Sequence, residues 1–338
     1  MLMFFCGLEI DLTLFRQVKR KSITFGLLTT LIPLALGTAV GFLFGYAPIA
    51  AVVLGSLLAS HTLVAFPIVA RLGLTQRAPI TITIGATVLT DTLSLIVFAV
   101  CVSMYKSGFS ATGLAAQLVE IAVFFPLILF GVSRLGGYGL KRVENDEDAY
   151  FVLMFGILAV AALLATIINL PGIVGAFLAG LAVNAAVHDK PAKEKMEFIG
   201  NSLFTPIFFI ATGFLINPAA FFRSLTDNLA LAFAVILALV VGKWIAAEIA
   251  RWLFAYSSEA RNTMWSLTLP QVAATLAAAL VAFDTFDPSG QRLIDRGLLN
   301  VVLVLMLTTS ILGPVLTGRF GSRMRQDEAG AAVRQGAA

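Results

Sequence analysis

The stretch PITITIGATVLTDTLSLIVFAVCVSMY, Pro79 to Tyr105, decides how this chain is read. It is long enough to cross a bilayer, and its one charged residue is Asp91. At about 1.5 Å of rise per residue, Asp91 lies roughly 18 Å beyond Pro79, near the midplane of a ~30 Å hydrocarbon core. A carboxylate at that depth costs roughly 3 kcal/mol or more, so its presence marks a functional site. Thr83, Thr87, Asp91 and Ser94 follow the period of one helical stripe, with Thr90 beside them. Such a seam faces protein or water rather than lipid.

The rest of the chain agrees. It has 338 residues, 59% of them hydrophobic and 12% charged, with a mean hydropathy of +0.94. A soluble domain carries about 25% charged residues. The chain therefore reads as an all-α polytopic membrane protein, since lipid leaves only helices or closed barrels and the apolar runs show no strand alternation. Ten spans are expected, at 23–45, 48–70, 79–105, 112–133, 149–169, 171–187, 202–221, 227–254, 262–283 and 297–317. The Gly-, Ala- and charge-rich stretch 318–338 reads as a disordered cytoplasmic tail. Met1 to Ile10 is apolar but too short to span, so 1–22 is expected to be the remnant of a shortened early helix plus a cytoplasmic loop.

Charge placement supports this segmentation. If the loops alternate sides, 18 of the 23 Lys and Arg fall on one side. Lys106, Arg223, Arg292 and Arg296 fall on the other, and Lys243 lies inside a span. That asymmetry is the positive-inside pattern and puts the C-terminus in the cytoplasm. It also accounts for the net charge of +4 without nucleic acid. Two cysteines, Cys6 and Cys101, form no disulfide framework, and two histidines far apart, His61 and His188, form no metal motif. No cofactor is expected. The loops are too short to hold a nucleotide-binding or catalytic module, so an enzyme is not expected either.

Four ionisable residues stand out within spans: Asp91, Glu120, Lys243 and Glu248. Asp91 suits a site that alternately holds a cation and a proton. Lys243 suits either a structural ion pair or direct involvement in that site. Glu120 is expected to be a hydrogen-bond partner facing the bundle, and Glu248 a solvated or Arg251-paired group. His61 suits either a proton relay or a hydrogen-bonded packing residue.

Two spans are interrupted. In 48–70 the break is Ser60-His61-Thr62 followed by Pro67; in 262–283 it is Thr268-Leu269-Pro270-Gln271. Each is the second member of a triplet, 23–105 and 227–317, and the six spans between them make the triplets antiparallel. Paired broken helices in inverted repeats are the sequence mark of a transporter's midplane site. The expected organisation is core repeat 1 at 23–105, linker and dimer-domain helices at 106–226, and core repeat 2 at 227–317.

Several motifs in order resemble the monovalent cation:proton antiporter-2 family. They are Gly7-Leu8-Glu9-Ile10-Asp11 before a basic loop, the Thr90-Asp91 pair, and Gly175-Ala176-Phe177-Leu178-Ala179-Gly180-Leu181. Pro206-Ile207-Phe208-Phe209 with Gly213, Gly242-Lys243 ending in Ala250-Arg251, and Leu269-Pro270-Gln271 complete the series. The resemblance covers residues 1 to about 317. It implies a sodium/proton antiporter fold with two inverted-topology repeats, crossing broken helices and a second, dimerising domain. It also implies a homodimer in a bacterial inner membrane that exchanges Na⁺ or K⁺ for H⁺. Asp91 would take the ion, helped by Thr90, Ser60, Thr62 and Gln271, while Lys243 would compete for the carboxylate or stabilise the unloaded site. Relatives that move net charge carry two adjacent Asp; Thr90 stands at the first position here, which favours electroneutral exchange. Val272, Ala273 and Ala274 stand where relatives often place an acid after the second break. Three alternatives remain open: an inactive fragment of such an antiporter, a sodium-coupled organic-anion symporter of the same fold, and an intramembrane aspartyl protease. The last would need a second carboxylate near Asp91.

Overall fold

The structure is a computed structural model that describes residues 4, 8, 18–107, 111–143, 146–168, 170–186, 198–204, 206, 207, 210, 226 and 228–336. The described residues are almost entirely helical. In chain order the helices are α1 (Lys19–Leu43), α2 (Pro48–Ala59), α3 (Phe66–Arg71), α4 (Ala78–Ser107) and α5 (Ala111–Pro126). After α5 the chain winds through a π-helical stretch, Leu127–Gly136, into α6 (Gly137–Arg142). Then come α7 (Glu147–Ile167), α8 (Gly172–Ala186), α9 (Leu229–Phe254), α10 (Ser258–Leu267), α11 (Ala273–Phe283) and α12 (Arg296–Gly336). Among the described residues six helices are long and apolar enough to cross a membrane. Three shorter apolar ones are Pro48–Ala59, Gly172–Asn184 and Ala274–Phe283. Two of those are halves of the interrupted spans, so both breaks stand where the sequence puts them. The expected span at 202–221 lies largely outside the described residues, as do most of 1–22 and the Phe208-Phe209 and Gly213 part of its motif.

The chain divides into two compact units. One comprises residues 11–94, 228–276 and 298–338. It holds both helix breaks and most of the two triplets. Its packing depends on small residues where helices touch. A Cβ on Gly37 would stand 2.8 Å from the Gly55 backbone, and one on Gly41 would stand 2.7 Å from Ala51, which lets α1 lie directly on α2. On its other side α1 meets α9, where Gly242 faces Pro33. One apolar cluster joins Phe25 of α1, Ile82 and Ala86 of α4, Ala247 and Ala250 of α9 and Met264 of α10. A second joins Val69, Leu74, Ile80, Ile84, Ala260, Leu267 and Met324. Ser257 caps α10 by accepting from the Ala260 N–H at 3.1 Å.

Met324 also explains a departure from the sequence reading. The stretch 318–338 was expected to be a disordered tail, yet α12 continues as helix to Gly336. Met324 is 3% exposed within the second cluster, and Gly321 sits against Leu72. This stretch therefore has a packed face that its composition hides, and its Ala, Arg, Glu and Gln residues are good helix formers. Likewise, the basic residues Lys19, Arg20 and Lys21, expected in a loop, form the first turn of α1.

The other unit comprises residues 1–10, 95–227 and 277–297. Within it α7 and α8 pack closely, because a Cβ at Gly175 would collide with the Ala161 carbonyl. That contact gives the glycine of the Gly175–Leu181 motif a physical reason. Glu120 does not face inward as expected. It is exposed on α5, as are Leu118 and Val119. After α11, Asp287 accepts from the Ser289 hydroxyl at 2.7 Å and the Gln291 N–H at 2.8 Å, around a turn at Gly290 with φ of 82°. Those bonds, the Ser289 hydroxyl first, hold the Asp287 carboxyl below the usual carboxylate range. The turn brings Arg292 back to the Phe283 carbonyl at 2.6 Å, closing the C-terminal end of α11.

In the first unit, α12 approaches the second break through Gly313, whose Cβ would stand 2.5 Å from the Pro270 ring. A proline ring cannot yield as a flexible side chain can. Gly313→Val should therefore destabilise the chain by roughly 1–3 kcal/mol. Thermal unfolding in detergent checks this, and an unchanged melting temperature would contradict the contact.

Candidate functional site

The two breaks leave backbone groups without helical partners in a low-dielectric interior, and each such group must be satisfied locally. The first break begins where α2 ends at Ala59 and Ser60 turns extended, at φ −75° and ψ 175°. Pro67, in the first turn of α3, suits a helix start, where a missing N–H costs nothing. The second break lies between Leu267 and Ala273. Pro270 has no N–H to give, and it disfavours helical backbone at Leu269.

The breaks satisfy one another. The Thr62 N–H donates to the Pro270 carbonyl at 2.9 Å, and Gln271 Nε2 donates to the Ser60 carbonyl at 2.6 Å. Gln271 is itself fixed: its Oε1 accepts from Thr275 Oγ1 at 2.6 Å, and its N–H donates to Thr309 Oγ1 at 3.1 Å. Gln271 and Thr309 are fully buried and Thr275 is nearly so. The broken helices are thus joined by one main-chain bond and one buried amide.

Lys243 of α9 supplies the cation at this crossing. Its Nζ donates to the carbonyls of Thr29 at 2.8 Å, Ala59 at 2.9 Å and Ser60 at 3.2 Å. An ammonium has three protons, and here three carbonyls take them. Two of those carbonyls belong to the end of α2 and its cap, where the helix dipole favours positive charge. Lys243 is fully buried. Among the described residues the ion pairs within 4.0 Å are Arg251–Glu248, Arg261–Glu248 and Arg292–Asp284, so Lys243 forms none with Asp91. Glu248 bridges Arg251 at 2.9 Å and Arg261 at 3.1 Å, as its position near the end of α9 suggested.

Asp91 and Thr90 come from the middle of α4, beside the first break. Asp91 is 8% exposed, and its Oδ1 is a buried oxygen with no hydrogen-bond partner. Thr90 is fully buried; its hydroxyl donates to the Thr87 carbonyl at 3.0 Å and lies 3.3 Å from His61 Nδ1. His61 Nε2 lies 3.1 Å from Thr87 Oγ1. His61 is therefore a hydrogen-bonded residue of the site, buried at 1% exposure.

All six residues singled out in the sequence fall in one unit, and five meet at the crossing by identified bonds: Ser60, Thr62, Gln271, Lys243 and, through His61, Thr90, with Asp91 next to Thr90 in α4. Ser60 and Thr62 enter through their backbone. Sequence reasoning missed Thr29, Thr275 and Thr309. Thr275 could have been found, since it stands four residues after Gln271 on the same helical face. Thr29 acts through a carbonyl, which no side chain signals.

A family profile for the transmembrane sodium/hydrogen exchanger matches residues 1–320. The chain is 44% identical over 323 residues to the Na⁺/H⁺ antiporter NhaS5 of Synechocystis, covering 96% of this chain and 46% of NhaS5. It thus spans about half the length of that relative. It is 26% identical over 335 residues to the Na⁺/H⁺-K⁺ antiporter GerN of Bacillus cereus, covering 96% of this chain and 81% of GerN. In three dimensions it is similar to the sodium proton antiporter MjNhaP1 of Methanocaldococcus jannaschii, with a TM-score of 0.73 at 16% identity over 96% of this chain and 84% of that one. The fold is therefore that of sodium/proton antiporters, an integral membrane bundle with inverted repeats and crossing broken helices. The motif resemblance holds at the level of the sodium/hydrogen exchanger family.

Three carbonyls take the protons of the Lys243 ammonium. Lys243→Met keeps the length of the side chain but removes all donors, at roughly 1–3 kcal/mol for each carbonyl left unpaired. The melting temperature in detergent should fall clearly below that of the unsubstituted chain. Equal melting would show that the three carbonyls do not depend on Lys243.

Proposed function

We propose that this chain, which belongs to the transmembrane sodium/hydrogen exchanger family, is a secondary antiporter in which a monovalent cation and a proton compete for Asp91. The observation that carries this reading is the buried Asp91 Oδ1 with no hydrogen-bond partner, next to the crossing of two broken helices. A buried carboxylate oxygen left unpaired is costly unless a cation or a proton occupies it. Nearby polar side chains are already engaged with one another: Gln271 with Ser60 and Thr275, Lys243 with three carbonyls. Asp91 is thus the group with bonding capacity to offer.

Thr90 contributes its hydroxyl oxygen, whose proton is directed to the Thr87 carbonyl. Ser60 and Thr62 hold the break in shape, and Gln271 ties it to the second break. The transported ion is Na⁺ or K⁺; relatives are named for Na⁺ and, in GerN, for K⁺ as well. Both are hard cations that oxygen ligands suit. Exchange proceeds by alternating access, one repeat-containing body moving against its scaffold. With one carboxylate at the site and Lys243 held by carbonyls throughout, one cation replaces one proton, so exchange is electroneutral. The chain works as a homodimer in a bacterial inner membrane, with its C-terminus in the cytoplasm, where the basic residues collect.

Asp91→Asn should abolish Na⁺- or K⁺-driven proton flux in proteoliposomes while melting stays near that of the unsubstituted chain. Persisting flux would remove Asp91 from the mechanism. Where protons compete, the cation concentration for half-maximal flux should rise about tenfold for each unit of falling pH. Clamping the membrane potential should leave the rate unchanged, and a rate that follows the potential would rule out one-for-one exchange.

A further inference from the structure

We propose that His61 is a positioning residue of the cation site, which acts through Thr90 and sets cation affinity without touching the ion. This rests on the Thr90-Asp91 reading and adds to it. His61 grips one turn of α4 at two points, where its ring meets Thr87 and Thr90, one residue before Asp91.

Counting protons shows how. Thr90 has one hydroxyl proton, and the carbonyl of Thr87 takes it at 3.0 Å. Thr90 Oγ1 can then only accept from the ring, so the proton of a neutral His61 lies on Nδ1, at 3.3 Å. Nε2 is left as an acceptor, and Thr87 Oγ1 donates to it at 3.1 Å in preference to the Thr83 carbonyl at 3.3 Å. In the opposite tautomer Thr90 would give its proton to Nδ1, and the 3.0 Å bond to Thr87 would be lost. The first arrangement keeps the shorter set of bonds. A helical threonine ordinarily divides between two rotamers that reach the carbonyls three and four residues back. The ring selects the one that reaches Thr87, leaving one lone pair of Thr90 Oγ1 uncommitted on the turn that carries Asp91. Partners that orient a ligand in this way typically change metal affinity by about 10- to 100-fold when removed. Lys243 and Asp91 are the charged groups that face the ring's surroundings, and each keeps its own role in this account.

The test is cation-dependent proton flux in proteoliposomes at one fixed pH, with Na⁺ as the probe. His61→Leu should raise the Na⁺ concentration for half-maximal flux about tenfold, with the maximal rate changed far less. His61→Asn keeps an N–H at the δ position, aimed at Thr90, and should recover part of the lost affinity. Thr90→Val should reproduce the His61→Leu effect, and the double variant should be no worse than Thr90→Val alone. Unchanged half-saturation in His61→Leu, or additive losses in the double variant, would overturn the proposal. If His61→Leu does not fold, His61→Gln, which places its polar atoms at the ε position only, takes its place in the same comparison. Asp91→Asn keeps the two readings apart. Flux lost there with His61→Leu unchanged overturns only the His61 inference, whereas flux surviving in Asp91→Asn overturns the site itself.

Discussion

The structure around the site depends on satisfying the main-chain carbonyls that two helix breaks expose in a low-dielectric interior. In such an interior each unpaired group would cost a kilocalorie or more. Ala59, Ser60 and Pro270 present those carbonyls, and Lys243, Gln271 and Thr62 answer them. The remaining features follow from that requirement. Gln271 must be held by Thr275 and Thr309 if it is to reach Ser60, and Gly313 must lack a side chain if α12 is to lie against Pro270. Small residues on α1, α2 and α9 let these helices close around the buried ammonium.

The same requirement separates two charges that the sequence alone invites one to pair. Asp91 and Lys243 are both mid-span, and an ion pair between them is the simplest way to bury them. The ammonium instead faces carbonyl dipoles at the end of α2, which offer three acceptors in fixed positions. A carboxylate would offer it one partner and would itself be taken out of use. In the proposed cycle, charge stabilisation of the break and ion exchange at Asp91 thereby fall to different groups, and the lysine need not change partners.

Much of this was legible in the sequence because it was carried by residue types with strong physical signatures. Proline and a polar triplet inside an apolar run marked the breaks, a lone aspartate marked the seam, and the Thr83–Thr87–Asp91 spacing marked which face of α4 turns inward. What was not legible depends on backbone or on three-dimensional packing. The acceptors of Lys243 are carbonyls, which every residue has. Thr309 meets Gln271 across a separation of 38 residues, which no local period predicts. Glu120 lies in a run of apolar residues that are themselves exposed, so its exposure could not be inferred from its span. Beyond residue 317, Met324 and Gly321 stand at a packed face, two residues in a stretch whose composition is otherwise that of a tail.

His61 shows how far such reading can go and where geometry must take over. Between a serine and a threonine inside a broken helix, a histidine fits either a proton carrier or a packing residue, and nothing in the sequence separates them. The structure gives both ring nitrogens a threonine hydroxyl on the adjoining helix. With a single proton on the ring, those two bonds must run in opposite senses, one given and one received. A neutral ring therefore meets both hydroxyls without leaving either nitrogen unpaired. The direction of these bonds also fixes the hydroxyl of Thr90, one residue from the carboxylate. A residue that completes a hydrogen-bond chain in this way constrains the surroundings of Asp91, so in the proposed mechanism the packing reading of His61 is itself a functional one.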